Sequence, residues 1–231
     1  MLTMDDIRRH AFKRRLKNME LVRLDYLQDV ILFILYTQIS PGILFKGGTA
    51  IWKLMKGERF SEDLDLEFDK KTIFGGELAE YLMLWGFNVD IVKEKITSNA
   101  YYVKVKASAE TFKTSEISIE SVFRGRDGIT LPFNSPYPDI PVFDVKTLPP
   151  DEMAREKLEA VMSRNKARDL FDLYILLKNY GVTLKCGNPS ELEKKIDEKK
   201  EDWDTLALFV TRKLPPFTHV KEFVISRLLQ K

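Results

Sequence analysis

Apolar residues recur at helical spacing through residues 4 to 40 and again beyond residue 150, with strand-like alternation between. The first stretch predicts two helices. The second of these, from about Leu21, is apolar around most of its circumference at Leu24, Leu27, Val30, Ile31, Ile34 and Leu35, which places it in a core. Pro41-Gly42 ends it. A short apolar run, Ile43-Leu44-Phe45, then leads through a Gly-Gly pair into a helical stretch from Thr49 to Lys56, closed by Gly57. From Ser61 to Phe68 the alternation is strict: Leu64, Leu66 and Phe68 point one way, and Asp63, Asp65 and Glu67 the other. That predicts a strand with one buried and one polar face. Glu77 to Trp85 reads as a helix stopped at Gly86. Phe87 to Lys95, Tyr101 to Ala107 and Ser115 to Val122 read as three more strands of a small, mostly antiparallel sheet.

Six of the ten prolines fall between Leu131 and Pro150, at 132, 136, 138, 141, 149 and 150. Proline removes a backbone donor, so this stretch is barred from helix and ill suited to a central strand. It is read as a connection, 131–150, between a sheet-bearing domain, 1–130, and a helical domain, 151–231. Pro149-Pro150 ahead of Asp151 and Glu152 is a favourable helix start. Helices are predicted over Asp151–Arg164, Lys166–Tyr180, Ser190–Lys200, Asp202–Lys213 and His219–Leu229. The fold class is α+β: a small mixed sheet flanked by helices, followed by a helical C-terminal domain.

Composition narrows the chemistry. Of the 231 residues 44% are hydrophobic, so the chain folds, and 37 Lys and Arg against 35 Asp and Glu leave a net charge of only +2. Contact with a polyanion must therefore come from a local patch. One such patch is visible: Arg8, Arg9, Lys13, Arg14, Arg15 and Lys17, with no acid between Asp6 and Glu20, suit a phosphate backbone. A single cysteine, Cys186, excludes a disulfide framework and a Cys-rich zinc site. Two histidines, His10 and His219, leave little for a His-based metal centre or triad. Carboxylates, lysines and backbone must do the chemistry. The charged start, with Asp5, Asp6, Arg8 and Arg9, has no apolar signal core, and the longest apolar run, Val30 to Tyr36, is far short of a membrane span. A cytoplasmic protein with no membrane contact is expected.

The candidate chemistry lies in Lys46-Gly47-Gly48-Thr49-Ala50 and the Arg59, Ser61, Asp63 and Asp65 that follow. A Gly-Gly pair between a strand and a helix lets backbone N–H groups approach an anion closely. Asp63 and Asp65, two apart on a strand, project from one face, a spacing suited to Mg²⁺ shared with phosphate oxygens. Phosphoryl or nucleotidyl transfer follows from such a pairing. A third acid from a neighbouring strand is either Glu120 or Glu116, both on the polar face of Ser115 to Val122. Glu120 is preferred, although spacing does not separate them. Each piece alone has an ordinary reading as a turn, a solvated acid or a surface lysine; the inference rests on their occurring together and in order.

The same residues, with Glu156-Lys157-Leu158 and Arg164-x3-Arg168-Asp169-x2-Asp172-Leu-Tyr174, resemble the AbiEii/AbiGii toxin family of the DNA polymerase β-like minimal nucleotidyltransferase superfamily. The resemblance runs from about residue 43 to 178. It implies a Mg²⁺-dependent enzyme, with Mn²⁺ as a substitute, that moves a nucleoside monophosphate from an NTP to a hydroxyl acceptor such as a tRNA or other RNA end. A cognate antitoxin is an implied partner. Lys46, Gly47, Gly48 and Thr49 would form the phosphate loop, with Ser61 assisting. Asp63, Asp65 and Glu120 would be the metal acids. Lys157 would reach the triphosphate, and Arg168, Asp169 and Asp172 would complete the cleft. Gly48 departs from the superfamily's commoner serine, which removes a hydroxyl contact. Arg59 has two open readings, one of them as a structural partner of the acids. A non-catalytic RNA- or partner-binding relic of the fold, and transfer to a small molecule or protein, are the alternatives.

Overall fold

The computed structural model describes residues 2–40, 42–110, 112–184 and 187–229. Pro41, read as a helix stop, and Cys186 lie outside the described residues. The chain forms two compact units, Met1–Ala50 with Glu62–Leu148 and Ile51–Ser61 with Pro149–Lys231.

In the first unit, seven strands form one mixed sheet: β1 (Leu44–Lys46), β2 (Leu64–Phe68), β3 (Asn88–Ile96), β4 (Ala100–Ala109), β5 (Phe112–Phe123), β6 (Ile129–Phe133) and β7 (Phe143–Thr147). Their spatial order is β3-β4-β5-β2-β1-β7-β6. The β2–β5 and β1–β7 pairs are parallel and the other neighbours antiparallel. Helices α1 (Met4–Ala11), α2 (Met19–Ile34, prolonged by a π-helical stretch Leu35–Ile39), α3 (Gly47–Leu54) and α4 (Gly75–Trp85) accompany the sheet. The apolar helix α2 packs on β5 and α4 as its pattern requires, with Val22, Leu27, Val30 and Ile31 fully buried. Leu64, Leu66 and Phe68 supply the core face of β2.

The sheet is wider than expected because the proline-rich stretch contributes to it. Pro132 lies in β6, which is an edge strand, while Pro136, Pro138 and Pro141 lie in the loop that follows. β7 contains no proline. It therefore keeps its donors and pairs with β6 on one side and β1 on the other, against the expectation that no inner strand would be found here.

The second unit holds α5 (Pro150–Ser163), α6 (Ala167–Tyr180), α7 (Pro189–Asp197) and α8 (Phe217–Leu228). The helix expected over Asp202–Lys213 is reduced to a 3-10 stretch, Trp203–Leu208. Its backbone groups are committed elsewhere: Phe60 N–H donates to Phe209 O at 2.9 Å, Thr211 N–H donates to Glu58 O at 2.8 Å, and Val210 bridges Arg59. The segment 51–61 is thereby stitched to the helical unit rather than to the sheet that precedes and follows it in sequence. Phe171, Trp203 and Phe217 pack edge and tilt contacts at the centre of this unit, and Trp203 Nε1 donates to Pro215 O at 3.0 Å.

Candidate active site

The glycine turn and the acid strand are built against each other. Lys46 on β1 is the register partner of Asp65 on β2, so the chain leaving β1 passes directly over Asp65. Gly47, the next residue, has φ +76°, and a Cβ there would sit 2.7 Å from Asp65 Cγ. Glycine is required twice over, by conformation and by the close approach. Two residues on, the buried Thr49 hydroxyl donates to the carbonyl of Asp63. That bond ties the first turn of α3 to the backbone of the acid pair. From the other side, Gln28 Nε2 of α2 donates to Glu62 O at 2.9 Å. Asp63 and Asp65 are half-buried, and the intervening Leu64 is fully buried.

Strand register separates the two candidates for the third acid. Asp65 and Glu120 are partners across the parallel β2–β5 pair, and partners across such a pair share a face. Glu120 is exposed. Glu116, four residues earlier, lies opposite Lys106 of β4. Its carboxylate meets Lys104 Nζ at 2.6 Å, and that hydrogen bond holds it below the usual carboxylate range. Among the described residues no three His, Cys, Asp or Glu side chains are gathered as a metal-holding cluster. The donor chemistry nevertheless fits Mg²⁺, which binds through one or two carboxylates and takes its remaining ligands from water and phosphate. The strand expected from Ser61 begins only at Leu64, so Asp65 on β2 and Asp63 at the bend just before it provide such a pair of hard oxygen donors.

Glu67, placed by alternation on the polar face, is 1% exposed. Arg126 accounts for this: its Nε lies 3.0 Å from both carboxylate oxygens, its Nη2 2.7 Å from Oε2, and its backbone N–H 3.1 Å from Oε1. Lys46 Nζ stands 3.8 Å from the same carboxylate. Burial raises the Glu67 pKa, but Arg126 and Lys46 outweigh it and leave it lowered. Neither Glu67 nor Arg126 was singled out in the sequence, and no spacing rule links residues 59 apart.

In the second unit, Lys157, Asp169 and Asp172 come together with Arg59. Arg59 forks onto Asp172 through Nε at 3.0 Å and Nη2 at 2.9 Å, and its Nη1 donates to Phe60 O at 2.9 Å. Lys157 Nζ lies 2.8 Å from Asp172 Oδ2 and 3.2 Å from Asp169 Oδ1. Arg164 forks onto Asp169 at 2.7 and 2.8 Å. Arg59, Lys157, Asp169 and Asp172 are all buried. Burial alone would raise both aspartates; Arg59 and Lys157 bring Asp172 below its ordinary value, and Arg164 and Lys157 do so for Asp169. Arg59 is thus an ion-pair partner of Asp172. Arg168 is exposed and Ser61 half-buried.

The basic patch near the N-terminus is divided. Arg14 turns inward, with Nη1 2.7 Å from Asp25 Oδ2 and 2.9 Å from Asp29 Oδ2, both carboxylates fully buried on α2. Burial disfavours its charge, and the two carboxylates more than restore it, so its pKa is raised. The expectation that all six cations face a phosphate backbone is corrected for this one. A signal was present in the sequence: Asp25 and Asp29, i and i+4 on a largely apolar helix, demand a cation.

A model of the AbiEii nucleotidyl transferase toxins, from type IV toxin–antitoxin systems, matches residues 34–219. The chain belongs to the AbiEii nucleotidyltransferase toxin family. As a member of that family it is a nucleotidyltransferase of the toxin–antitoxin class, and the glycine turn, the strand acids and the buried ion network all lie inside the matched span. Its fold is similar to MenT4, a nucleotidyltransferase toxin of Mycobacterium tuberculosis H37Rv, with a TM-score of 0.66 at 18% identity over 99% of this chain and 89% of that one. It is also similar to JHP933 of Helicobacter pylori, with a TM-score of 0.60 at 19% identity over 92% and 91%. No curated protein matches the chain. Among the described residues, no helix is long and apolar enough to cross a membrane.

Proposed function

We propose that this AbiEii-family enzyme transfers a nucleoside monophosphate from an NTP to a hydroxyl of RNA, with a tRNA end as the leading acceptor, in a Mg²⁺-dependent reaction. The observation that carries the reading is the juxtaposition of Asp65 with both the Gly47 turn and Glu120. It supports a triphosphate lying over the turn with its α-phosphorus beside the acids. Asp63 and Asp65 would hold the Mg²⁺, or Mn²⁺ in its place, which when bound supplies positive charge to the phosphate oxygens. The backbone N–H groups of Gly47 and Gly48, at the start of α3, face the phosphates. Glu120 or Asp65 accepts the proton of the attacking hydroxyl. The hydroxyl oxygen bonds to the α-phosphorus as the bond to the β-phosphate oxygen breaks, and pyrophosphate leaves in line.

For Lys157, Arg168, Asp169 and Asp172 the family resemblance supports a role toward the triphosphate. The two carboxylates around Lys157 would hold its ammonium in one position. Membership of a toxin–antitoxin family supports a cognate antitoxin as partner.

The test is incubation with each labelled NTP, Mg²⁺ and total RNA. Label should enter an RNA species, need the metal, and vanish with Asp63→Ala or Asp65→Ala. Label entering only protein or small molecules would overturn the acceptor; label in nothing, from a folded enzyme supplied with metal, would overturn the reaction.

A further inference from the structure

A groove of about 740 Å³ in the first unit is lined by Asp5, Arg8, Arg9, Phe12, Leu16 and Lys17. All of these residues precede the span matched by the family model. Three cations against one acid make the groove positive in a chain that is otherwise nearly neutral. Phe12 is 73% exposed, a large apolar ring left in water in the midst of charges.

The turn that presents Phe12 is anchored. Phe12–Arg14 is a single 3-10 turn following α1, and Arg15 reverses the chain with φ 60°. Within that turn Arg14 is locked onto Asp25 and Asp29, while Phe12, Lys13, Arg15 and Lys17 face solvent. One residue of the patch thus serves as the anchor and its neighbours as the presented surface. Leu16, 5% exposed, supplies an apolar edge beneath. The anchor also connects to the candidate active site. Gln28, which bonds Glu62 O beside Asp63, lies on α2 between Asp25 and Asp29, about 4.5 Å along the axis from Asp25.

We propose that this groove binds a single-stranded stretch of RNA, with a base stacked on Phe12 and the backbone phosphates on Arg8, Arg9 and Lys17. A positive groove interleaved with an aromatic ring is the combination that holds single strands without reading their sequence. An unpaired base offers the ring a flat face to stack on beside the phosphates that the cations bind. The choice of RNA among polyanions rests on the acceptor reading above.

The experiment is anisotropy titration of a labelled single-stranded RNA of about twelve nucleotides with the full chain across a salt series. The same preparations are assayed for label transfer to total RNA. Phe12→Ala should weaken binding about tenfold and leave the salt slope unchanged, and Phe12→Trp should restore it. The double variant Arg8→Gln/Arg9→Gln should flatten the log–log salt slope by roughly 1.4, two contacts at about 0.7 each. Both variants alter exposed side chains, so their thermal midpoints should match that of the unaltered chain.

RNA binding that is indifferent to both variants refutes the groove; if transfer to RNA persists, the acceptor reading stands without it. Binding that depends on Phe12, in an enzyme that labels no RNA, supports the groove and refutes the acceptor. Loss of binding to an acidic partner protein with RNA affinity intact also refutes the proposal and makes the groove a protein dock.

Discussion

Two pairs of aspartates in this chain are treated in opposite ways. Asp63, at the bend before β2, and Asp65 on that strand are both half-buried, and an exposed glutamate lies in register with Asp65. Asp169 and Asp172 sit three apart on α6, buried, each within ion-pair distance of two cations. The residue type is the same; the elements that carry the acids and their burial differ. Half-buried carboxylates keep access to a cation from solution. Carboxylates gathered with Arg and Lys are balanced from within and hold their unit together. The buried ion pairs around α6 join separate segments of the second unit, and Asp63 with Asp65 is the pair proposed to hold the metal.

That contrast can be broken most directly at the strand. Asp63→Asn or Asp65→Asn should lower transfer by on the order of 10³-fold or more, the loss expected when several kcal/mol of metal-assisted stabilisation goes. The thermal midpoint should move by less than about 3 °C. Transfer rates and melting curves on one preparation check both halves. An unfolded variant would move the strand acids to the structural side of the comparison.

Asp172→Ala should, in contrast, cost substantial stability. It leaves Arg59 and Lys157 buried without their shared partner, and a loss of about 3–5 kcal/mol is expected in denaturant unfolding. Replacing Arg59 and Asp172 together by Met and Leu should recover most of it, because removing both charges also removes their desolvation cost. A single-variant loss below about 1 kcal/mol would show that the network does not hold the unit.

Gly47→Ala tests the join between turn and acid. Positive φ and crowding against Asp65 together should cost roughly 1–3 kcal/mol of stability. Transfer should fall further than that loss explains, since Asp65 must move. Equal activity at equal stability would mean that the close approach is incidental.

Acid titration distinguishes the pairs more gently. Asp169 and Asp172 have pKa values below their ordinary 3.8, so in acid the unfolded chain binds more protons than the native one. Their contribution to stability is complete above the ordinary value and is lost as pH falls through the lowered native values. Unfolding free energy measured from about pH 5 downward should drop less steeply in Asp172→Asn. The smallest effect belongs to Glu116→Gln, which removes an exposed, solvent-screened pair with Lys104 and should leave the unfolding midpoint unchanged. Transfer should be unchanged there and reduced in Glu120→Gln; the reverse pattern would exchange their roles.

Local geometry was legible before the structure. A strand repeats every two residues and a helix every 3.6, so alternation alone put Leu64, Leu66 and Phe68 on the core face of β2, and helical spacing alone made α2 a core element. The glycine turn, the prolines opening α5 and the ordered motifs of the family are likewise short-range patterns. Tertiary structure decided what short-range patterns leave open. Register between β2 and β5 set Glu120 rather than Glu116 beside Asp65. Arg126 made Glu67 a buried residue, and Asp25 with Asp29 turned one cation of the patch inward. The backbone of 51–61 took the bonds that a helix over 202–213 would have used. In each case the deciding partner lies many residues away, and a charge or a backbone donor carries no mark in the sequence of which distant group will satisfy it.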